Sequence, residues 1–330
     1  MKNILVTGGA GYIGSHITEI LIKKKYKVVI VDNLTTGYKR FIQKKAKFYK
    51  LNILKSSHLK KIILKNKIDS VIHLAASISV TDSKKNYKLF YKNNVEGTSS
   101  LIEACKGTLV RNFIFSSTAA IYKSSNKKVT ELSKIKTQSV YGITKLKAEK
   151  IIIKNLKNLN INYAILRFFN VVGGSPSKKI GPLKKNDTLF KNISSVIFKK
   201  KIVIKIYGNN FNTKDGTCVR DYIHVSDLGE IQIKILKKIE MTNKSIILNC
   251  GYGKGISVKQ VVDEFIKISN KVVRIAIFKK RQADIESSIA NINKLRNFIK
   301  WKPKYNKLAF LVKSAIDWEK KLLNSKNLKF

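Results

Sequence analysis

A glycine-rich turn near the start of the chain constrains the fold more than any other feature. The apolar run at residues 4–6 leads into Gly8, Gly11 and Gly14, which are spaced three apart, and an amphipathic helical pattern follows. Glycines at this spacing allow a tight strand-to-helix turn, close approach of the backbone to a pyrophosphate, and close packing of helix on strand. The first turn of such a helix offers N–H groups and a positive dipole to an anion. The pattern predicts a dinucleotide-binding unit.

The second apolar run bears on which dinucleotide is bound. Residues 28–31 are all Val or Ile, and Asp32 follows directly. A carboxylate at this point can bind both ribose hydroxyls of NAD and would repel the 2′-phosphate of NADP. We therefore expect NAD as the cofactor. The alternative is a glycine-rich turn with no ligand.

Further apolar runs extend the strand pattern through the first half of the chain. Residues 70–74, 112–115 and 163–166 are such runs, and longer amphipathic segments separate them. Continuous apolar strands alternating with helices indicate an α/β fold whose parallel sheet is covered on both faces. We expect residues 1–170 to form the cofactor-binding domain and residues 171–330 a smaller α/β lobe. One later segment could return to the sheet.

The charge of the chain invites a nucleic-acid interpretation. Lys and Arg number 67 and Asp and Glu 20, which gives a net charge of +47. The lysines are spread along the whole chain, however, and only seven residues are Arg, the side chain preferred for bidentate phosphate and base contacts. We expect no nucleic-acid partner and keep an RNA-binding protein as the alternative from a different functional class.

Composition also bears on location and on metals. Cys105, Cys218 and Cys250 have neither disulfide-like nor metal-ligand spacing, and no apolar run approaches the ~18 residues of a membrane span. The apolar stretch at the N-terminus ends too early for a signal peptide. We expect a cytoplasmic protein with reduced thiols, no membrane association and no metal.

A Thr, a Tyr and a Lys form the candidate catalytic set. Thr118 follows the apolar run 113–115, and Tyr141 and Lys145 lie four apart in a helical pattern. Residues four apart share a helix face, so both side chains can point into one cleft. An ammonium beside a phenol favours the phenolate, so we expect Lys145 to lower the pKa of Tyr141 and make it a base.

These motifs resemble the extended short-chain dehydrogenases that act on nucleotide sugars. The segments 32–34, 93–98, 166–170 and 215–225 narrow the resemblance to the UDP-glucose 4-epimerase family, over residues 1 to about 320. The resemblance implies a doubly wound Rossmann sheet with a C-terminal substrate lobe. It also implies NAD-dependent epimerisation at C4 of a UDP-hexose through a 4-keto intermediate.

The resemblance assigns roles to matched positions. The catalytic residues are Thr118, Tyr141 and Lys145. The residues matching the NAD site are Gly8, Gly11, Tyr12, Ile13, Gly14, Asp32, Asn33, Asn52, Ile53, Leu74, Ala75, Asn94, Tyr141, Lys145 and Phe168. The residues matching the UDP-sugar site are Thr118, Asn170, Leu189, Tyr207, Arg220, Arg281, Asp284 and Ser288.

Three positions depart from the family pattern. Asn52 stands where the family usually has an Asp that receives the adenine amino group, so we expect weaker NAD binding. Ile78 stands where some members have a Lys, and Lys123 replaces a usual Gly. None of these changes removes a catalytic group.

The resemblance also frames the partners and the alternatives. It implies a homodimer formed by a helix near residues 94–106 and another at 141–156, with the apolar positions Leu146, Ile152, Ile153 and Leu156. Ser288 is small where a bulky aromatic would restrict the sugar pocket, which favours UDP-N-acetylglucosamine as a second substrate. A UDP-N-acetylglucosamine 4-epimerase and a UDP-glucuronate decarboxylase or epimerase remain alternatives. A dehydratase is disfavoured because Ala119 and Ala120 stand where it needs acids.

Overall fold

The fold is built on parallel strands linked by helices. The computed structural model describes residues 2–79, 83, 86–183, 188–199, 203–281 and 284–324. The strands are β1 (Asn3–Thr7), β2 (Lys27–Asp32), β3 (Lys47–Lys50), β4 (Ser70–His73), β5 (Asn112–Thr118), β6 (Asn162–Phe168), β7 (Asn170–Val172), β8 (Val203–Tyr207), β9 (Val219–Arg220), β10 (Tyr222–His224), β11 (Ile246–Cys250), β12 (Ile256–Ser257), β13 (Arg274–Phe278) and β14 (Ser287–Ser288).

Helices connect these strands and cover the sheet. They are α1 (Tyr12–Lys23), α2 (Ser56–Lys65), α3 (Tyr87–Tyr91), α4 (Gly97–Cys105), α5 (Val140–Asn158), α6 (Leu189–Val196), α7 (Val225–Thr242), α8 (Val258–Ser269), α9 (Asn293–Ile299) and α10 (Leu308–Asn324). A turn of π-helix at Lys92–Glu96 leads into α4.

The central sheet has seven parallel strands in the order β11–β6–β5–β4–β1–β2–β3. Helices α1 and α7 pack together on one face, and α2, α4 and α5 pack on the other. The apolar strands β1, β4 and β5 are buried along almost their whole length, as expected for a sheet covered on both sides. Strand order reverses between β1 and β4, and ligands bind at the carboxyl ends of the strands beside such a reversal. The α/β fold class predicted from the sequence is confirmed.

Two strands of the sheet were not predicted from the runs of apolar residues. Strand β3 is a short edge strand with Lys47 and Lys50 exposed at its ends, so its apolar content is only Phe48 and Tyr49. Strand β11 lies far beyond residue 170 and pairs in parallel with β6, from Ile246 opposite Ala164 onward. The sheet is therefore completed by a segment from the second half of the chain.

Apart from β11 and α7, which belong to the central sheet and its covering layer, the second half of the chain forms small sheets and further helices. Strands β7 and β10 pair, β8 and β13 pair, and β9 lies between β12 and β14. Phe190 and Phe265 join this lobe to the main hydrophobic core, and Trp318 anchors α10 in a smaller cluster. None of the described helices is long and apolar enough to cross a membrane.

Three histidines are enclosed by the fold and give it an acid-sensitive stability. His16, His73 and His224 are each at most 1% exposed, and burial lowers their pKa values to about 4, 3 and 3. An unfolded histidine titrates near 6.5, so below that pH the unfolded chain binds more protons than the native one. The free energy of unfolding therefore falls as pH drops from 6.5 towards 4, by ~1.4 kcal/mol per pH unit for each histidine.

We expect His16→Gln to make the free energy of unfolding less dependent on pH, by the share of one histidine, since the amide does not titrate. Urea unfolding at several pH values between 7.5 and 4.5 measures the slope in wild type and variant. Carboxylates contribute to both slopes alike, so their difference isolates His16. His58→Gln, at an exposed position, is the control variant. Equal slopes in wild type and His16→Gln would contradict the assignment.

Candidate active site

The glycine loop has the close contacts that its spacing predicts. Gly8 has a φ of +72°, and a Cβ there would lie 2.7 Å from the backbone nitrogen of Ala75. A Cβ on Gly14 would lie 2.1 Å from the carbonyl oxygen of Gly8, so only glycine lets α1 begin this close to the loop. Gly11 is the N-cap of α1 and provides no side-chain acceptor. The N–H groups of the first turn, at Tyr12 and Ile13, therefore fit an anionic pyrophosphate.

Asp32 lies beside this loop at the end of β2. Its carboxylate is 7% exposed and accepts hydrogen bonds from the backbone nitrogens of Ala10, at 3.0 Å, and Leu34, at 2.8 Å. Burial raises the pKa of Asp32, while the two backbone bonds act in the opposite direction. Asn33 follows on the exposed rim, where its side chain accepts from the nitrogen of Thr35. This arrangement fits the adenosine ribose of NAD.

The next two strand ends carry residues that were predicted to lie beside the adenine and the nicotinamide. After β3, the side-chain oxygen of Asn52 accepts from the nitrogen of Leu54 at 3.0 Å, which leaves it one lone pair for an adenine amino group. Ile53 is buried beside it. After β4, Leu74 and Ala75 are half-buried against the glycine loop.

Asn94 acts mainly as a structural brace. It lies buried in the π-helical turn, and its amide bonds the backbone nitrogen of Ser77 at 2.8 Å, the carbonyl of Ser77 at 3.0 Å and the hydroxyl of Thr144 at 3.0 Å. Asn94 therefore joins the loop after β4 to helix α5. A π turn is a frequent device where a helix must aim one side chain at a functional site.

Thr118, Tyr141 and Lys145 come together at the carboxyl edge of the sheet. Thr118 ends β5, and its side chain lies close enough to the phenol of Tyr141 to oppose the rise of its pKa. Ser139 caps the start of α5 through the nitrogen of Gly142, which fixes Tyr141 in the first turn. Lys145, 2% exposed, lies one turn later with its Nζ 4.1 Å from the ring centre of Phe115.

Burial dominates the electrostatics of this set. It raises the pKa of Tyr141 to about 12, with Thr118 acting against it. Burial also lowers the pKa of Lys145 to about 7, against the attraction of Glu149. In the protein alone, loss of water disfavours both charged forms, and the lowering of the Tyr141 pKa by Lys145 stays a prediction for the NAD-bound site. A neighbouring group that keeps Lys145 protonated would therefore help to activate Tyr141.

The predicted sugar-side residues lie on strands and loops of the second lobe. Ser288 in β14 is directly opposite Arg220 in β9, and both are half-buried. Asn170 is exposed at the start of β7. Phe168, which was predicted for the NAD site, is buried opposite Thr118 in the central sheet. Leu189 starts α6 and packs on the core.

A second group of predicted residues surrounds the guanidinium of Arg281. Asp284 accepts from its Nε at 2.8 Å and its Nη2 at 2.9 Å, and the guanidinium lies 5.0 Å from the ring centre of Tyr207. The charges of Arg220, Arg281 and Asp284 all act on the thiol of Cys218. The two arginines therefore converge on one region, which suits a diphosphate.

One buried network was not identified from the sequence. Glu149 is 2% exposed and forms an ion pair with Arg167, whose Nη2 lies 2.8 Å from its Oε2. Ser117 donates to the same carboxylate. The available signal was the spacing, since Glu149 follows Lys145 by four residues as Lys145 follows Tyr141. In the part of the chain that the structure describes, no group of His, Cys, Asp and Glu side chains could hold a metal.

Comparison with known proteins agrees with this geometry. Residues 4–251 match the model of the NAD dependent epimerase/dehydratase family. A UDP-glucose 4-epimerase from Lactobacillus helveticus is 36% identical over 319 residues, which cover 96% of this chain and 97% of the relative.

Solved structures give the same picture. The UDP-glucose-4-epimerase of Stenotrophomonas maltophila, solved with NAD and formylated UDP-arabinopyranose, superposes with a TM-score of 0.93 at 29% identity, covering 98% of this chain and 99% of that one. The UDP-Glc/GlcNAc 4-epimerase of Campylobacter jejuni superposes with a TM-score of 0.85 at 36% identity, covering 97% and 100%. The resemblance seen in the sequence is thereby confirmed, and the chain belongs to the NAD dependent epimerase/dehydratase family.

Proposed function

We propose that this protein is a UDP-glucose 4-epimerase that interconverts UDP-glucose and UDP-galactose. The observation that carries the proposal is the meeting of Thr118, Tyr141 and Lys145 at the carboxyl edge of the sheet, beside a glycine loop that fits NAD. The near full-length relatives of this activity support it. Nothing in the sequence locates the carboxylate clamp that a UDP-glucuronate enzyme requires.

The chemistry follows from the positions of these side chains. NAD, held by the glycine loop and Asp32, would supply reversible hydride exchange at C4 of the sugar. The phenol oxygen of Tyr141, as phenolate, takes the proton of the C4 hydroxyl and later gives it back. Thr118 hydrogen-bonds the same substrate hydroxyl. The Lys145 ammonium stabilises the phenolate. Atoms and electrons balance over the cycle, so no net oxidation occurs.

The nucleotide anchor and the sugar pocket have different requirements. Arg220 and Arg281 hold the diphosphate, and Tyr207 and Asp284 complete that site. Asn170 and Leu189 line its approach. Strong anchoring of UDP leaves the 4-keto sugar free to turn over and present its other face. The excess of lysines raises the local concentration of such an anionic substrate.

We expect Tyr141→Phe to lower kcat by at least ~10²–10⁴, the range typical for loss of a general base. The phenylalanine ring still packs, so NAD stays bound. Conversion of UDP-galactose to UDP-glucose measures turnover, and the mass of the nucleotide released on denaturation identifies the cofactor. Turnover in wild type supports the proposed function. Rates close to wild type in Tyr141→Phe would rule out this mechanism.

The assembly we propose is a homodimer in the cytoplasm, formed through α4 and α5. Ile152 and Leu156, two of the four apolar positions expected in the interface, are wrong for that role because they are fully buried in the subunit's own core. Leu146 and Ile153 are only half-buried. Tyr87 and Leu89, 44% and 51% exposed on the neighbouring α3, extend the same surface.

We expect Ile153→Glu to shift the protein to monomers, since a buried charge without a partner destabilises an interface. Light scattering at micromolar concentration gives the mass. Met241→Glu is the control, because Met241 is 79% exposed at the end of α7. A wild-type monomer at that concentration would count against the dimer.

We expect Ser288 to admit an N-acetyl group, so wild type should also act on UDP-N-acetylglucosamine. Its strand pairing with Arg220 supports a position beside the proposed diphosphate anchor. Ser288→Tyr should remove that activity and spare UDP-galactose, because overpacking a closed site costs ~1–3 kcal/mol, about 5- to 150-fold in rate. Ser288→Ala is the matched control and keeps both activities. Absence of N-acetyl activity in wild type, or its survival in Ser288→Tyr, would show that Ser288 is not the gate.

A further inference from the structure

Three side chains on one face of α5 lie four residues apart. Tyr141, Lys145 and Glu149 follow one another by one helical turn each, and the last two are each 2% exposed. The first two belong to the catalytic set. The third is a buried carboxylate that the reaction as described does not use, although burying a charge is costly unless it is paired.

Glu149 is held by three donors from the sheet below it. Arg167 in β6 donates from Nε to Oε1 at 3.1 Å and from Nη2 to Oε2 at 2.8 Å, and Ser117 in β5 donates to Oε1. Ser117 and Arg167 are directly opposite each other in the strand register. Two adjacent strands therefore fix the carboxylate in position.

Arg167 is itself anchored on its far side. Its Nη1 donates to the phenol oxygen of Tyr122 at 2.8 Å and to the carbonyl oxygen of Glu131 at 3.0 Å. Tyr122 in turn donates to the side-chain oxygen of Asn249 at 2.7 Å. The guanidinium is thus turned towards Glu149 by two groups, of which Tyr122 is itself held by Asn249, and the carboxylate has little freedom to move.

The groups around Lys145 show why this carboxylate matters. From β5 it faces the neutral ring of Phe115, and from β4 it faces His73, which burial keeps neutral. From α5 it faces Tyr141 and Glu149, and from the π-helical side the neutral Asn94 is bound to Thr144. Among the charges that act on Lys145 in the described structure, Glu149 is the negative one. Its oxygens bond Arg167 and Ser117, so it acts on the ammonium through space.

We propose that Glu149, clamped by Arg167 and Ser117, is a positioning residue that keeps the Lys145 ammonium charged beneath Tyr141. Burial lowers the pKa of Lys145 to about 7 even with the opposing attraction of Glu149, so little margin remains at neutral pH. Removing the charge of Glu149 lowers that pKa further, and a larger share of Lys145 loses its proton. A neutral amine no longer stabilises the phenolate, so turnover falls. This inference rests on the proposed epimerase function.

The test compares the pH dependence of kcat for UDP-galactose in matched variants. In Glu149→Gln we expect the alkaline limb of the kcat profile to move to lower pH by ~1 unit. This is the lower end of the pKa shift that a nearby opposite charge causes. KM for UDP-galactose should stay the same, because Glu149 does not touch the substrate. At pH 8 the loss appears in kcat alone.

A second variant guards against a failure of folding. Glu149→Gln leaves a buried guanidinium unpaired, which destabilises the fold. The double variant Glu149→Gln/Arg167→Met removes both charges and should fold, with its alkaline limb still lowered. Arg167→Met alone keeps the charge of Glu149. The alkaline limb of this variant should therefore not move to lower pH.

The control is another buried ion pair, remote from the catalytic set. Lys191 and Glu319 are 4% and 9% exposed at the contact of α6 with α10. Glu319→Gln should lower stability without moving the alkaline limb. If the folded double variant has the wild-type limb, or if Arg167→Met lowers the limb as much as Glu149→Gln does, the pair is only structural and the proposal fails. An inactive wild type would instead refute the proposed function.

Discussion

The buried ion pair of Glu149 with Arg167 joins the elements on which the site depends. It connects the helix that carries Tyr141 and Lys145 to β6, and Ser117 connects it to β5. Removing one partner of such a pair typically costs ~3–5 kcal/mol because the other charge is left buried and alone. That is a large part of the stability of an ordinary domain. The catalytic helix is therefore docked on the sheet by a contact that is strong, directional and shielded from salt.

The second constraint is the close approach of the glycine loop to the strands around it. The loop leaves no room for a side chain at Gly8 or Gly14, and Asp32 is fixed by two backbone nitrogens of the neighbouring loops. The cofactor half of the site is thus held by backbone geometry. The catalytic half is held by buried polar side chains, which makes its protonation sensitive to burial and to single charges.

Burial has opposite consequences for the two members of the catalytic pair. It raises the pKa of Tyr141 and lowers that of Lys145, so each group resists the charge that the reaction needs. A positively charged nicotinamide favours the phenolate but also disfavours the nearby ammonium. A fixed carboxylate behind Lys145 counters that second effect. Tyr141 and Lys145 thus take part in the reaction, whereas Glu149 maintains the charge of Lys145.

The sequence by itself determined the parts of this protein that depend on local pattern. The glycine spacing, the run ending in Asp32 and the buried strands are local, so β1, β2, β4, β5 and β6 and the cofactor loop were predictable. The four-residue spacing of Tyr141 and Lys145 placed them on one helix face for the same reason. Tertiary structure decided what depends on distant segments meeting. Strand β11 joins the sheet from beyond residue 240, and Ser288 lies opposite Arg220 only through strand pairing. The pKa values of the catalytic pair followed from loss of water, and Glu149 acquired its partner from another strand, because burial and long-range pairing leave no local pattern in the chain.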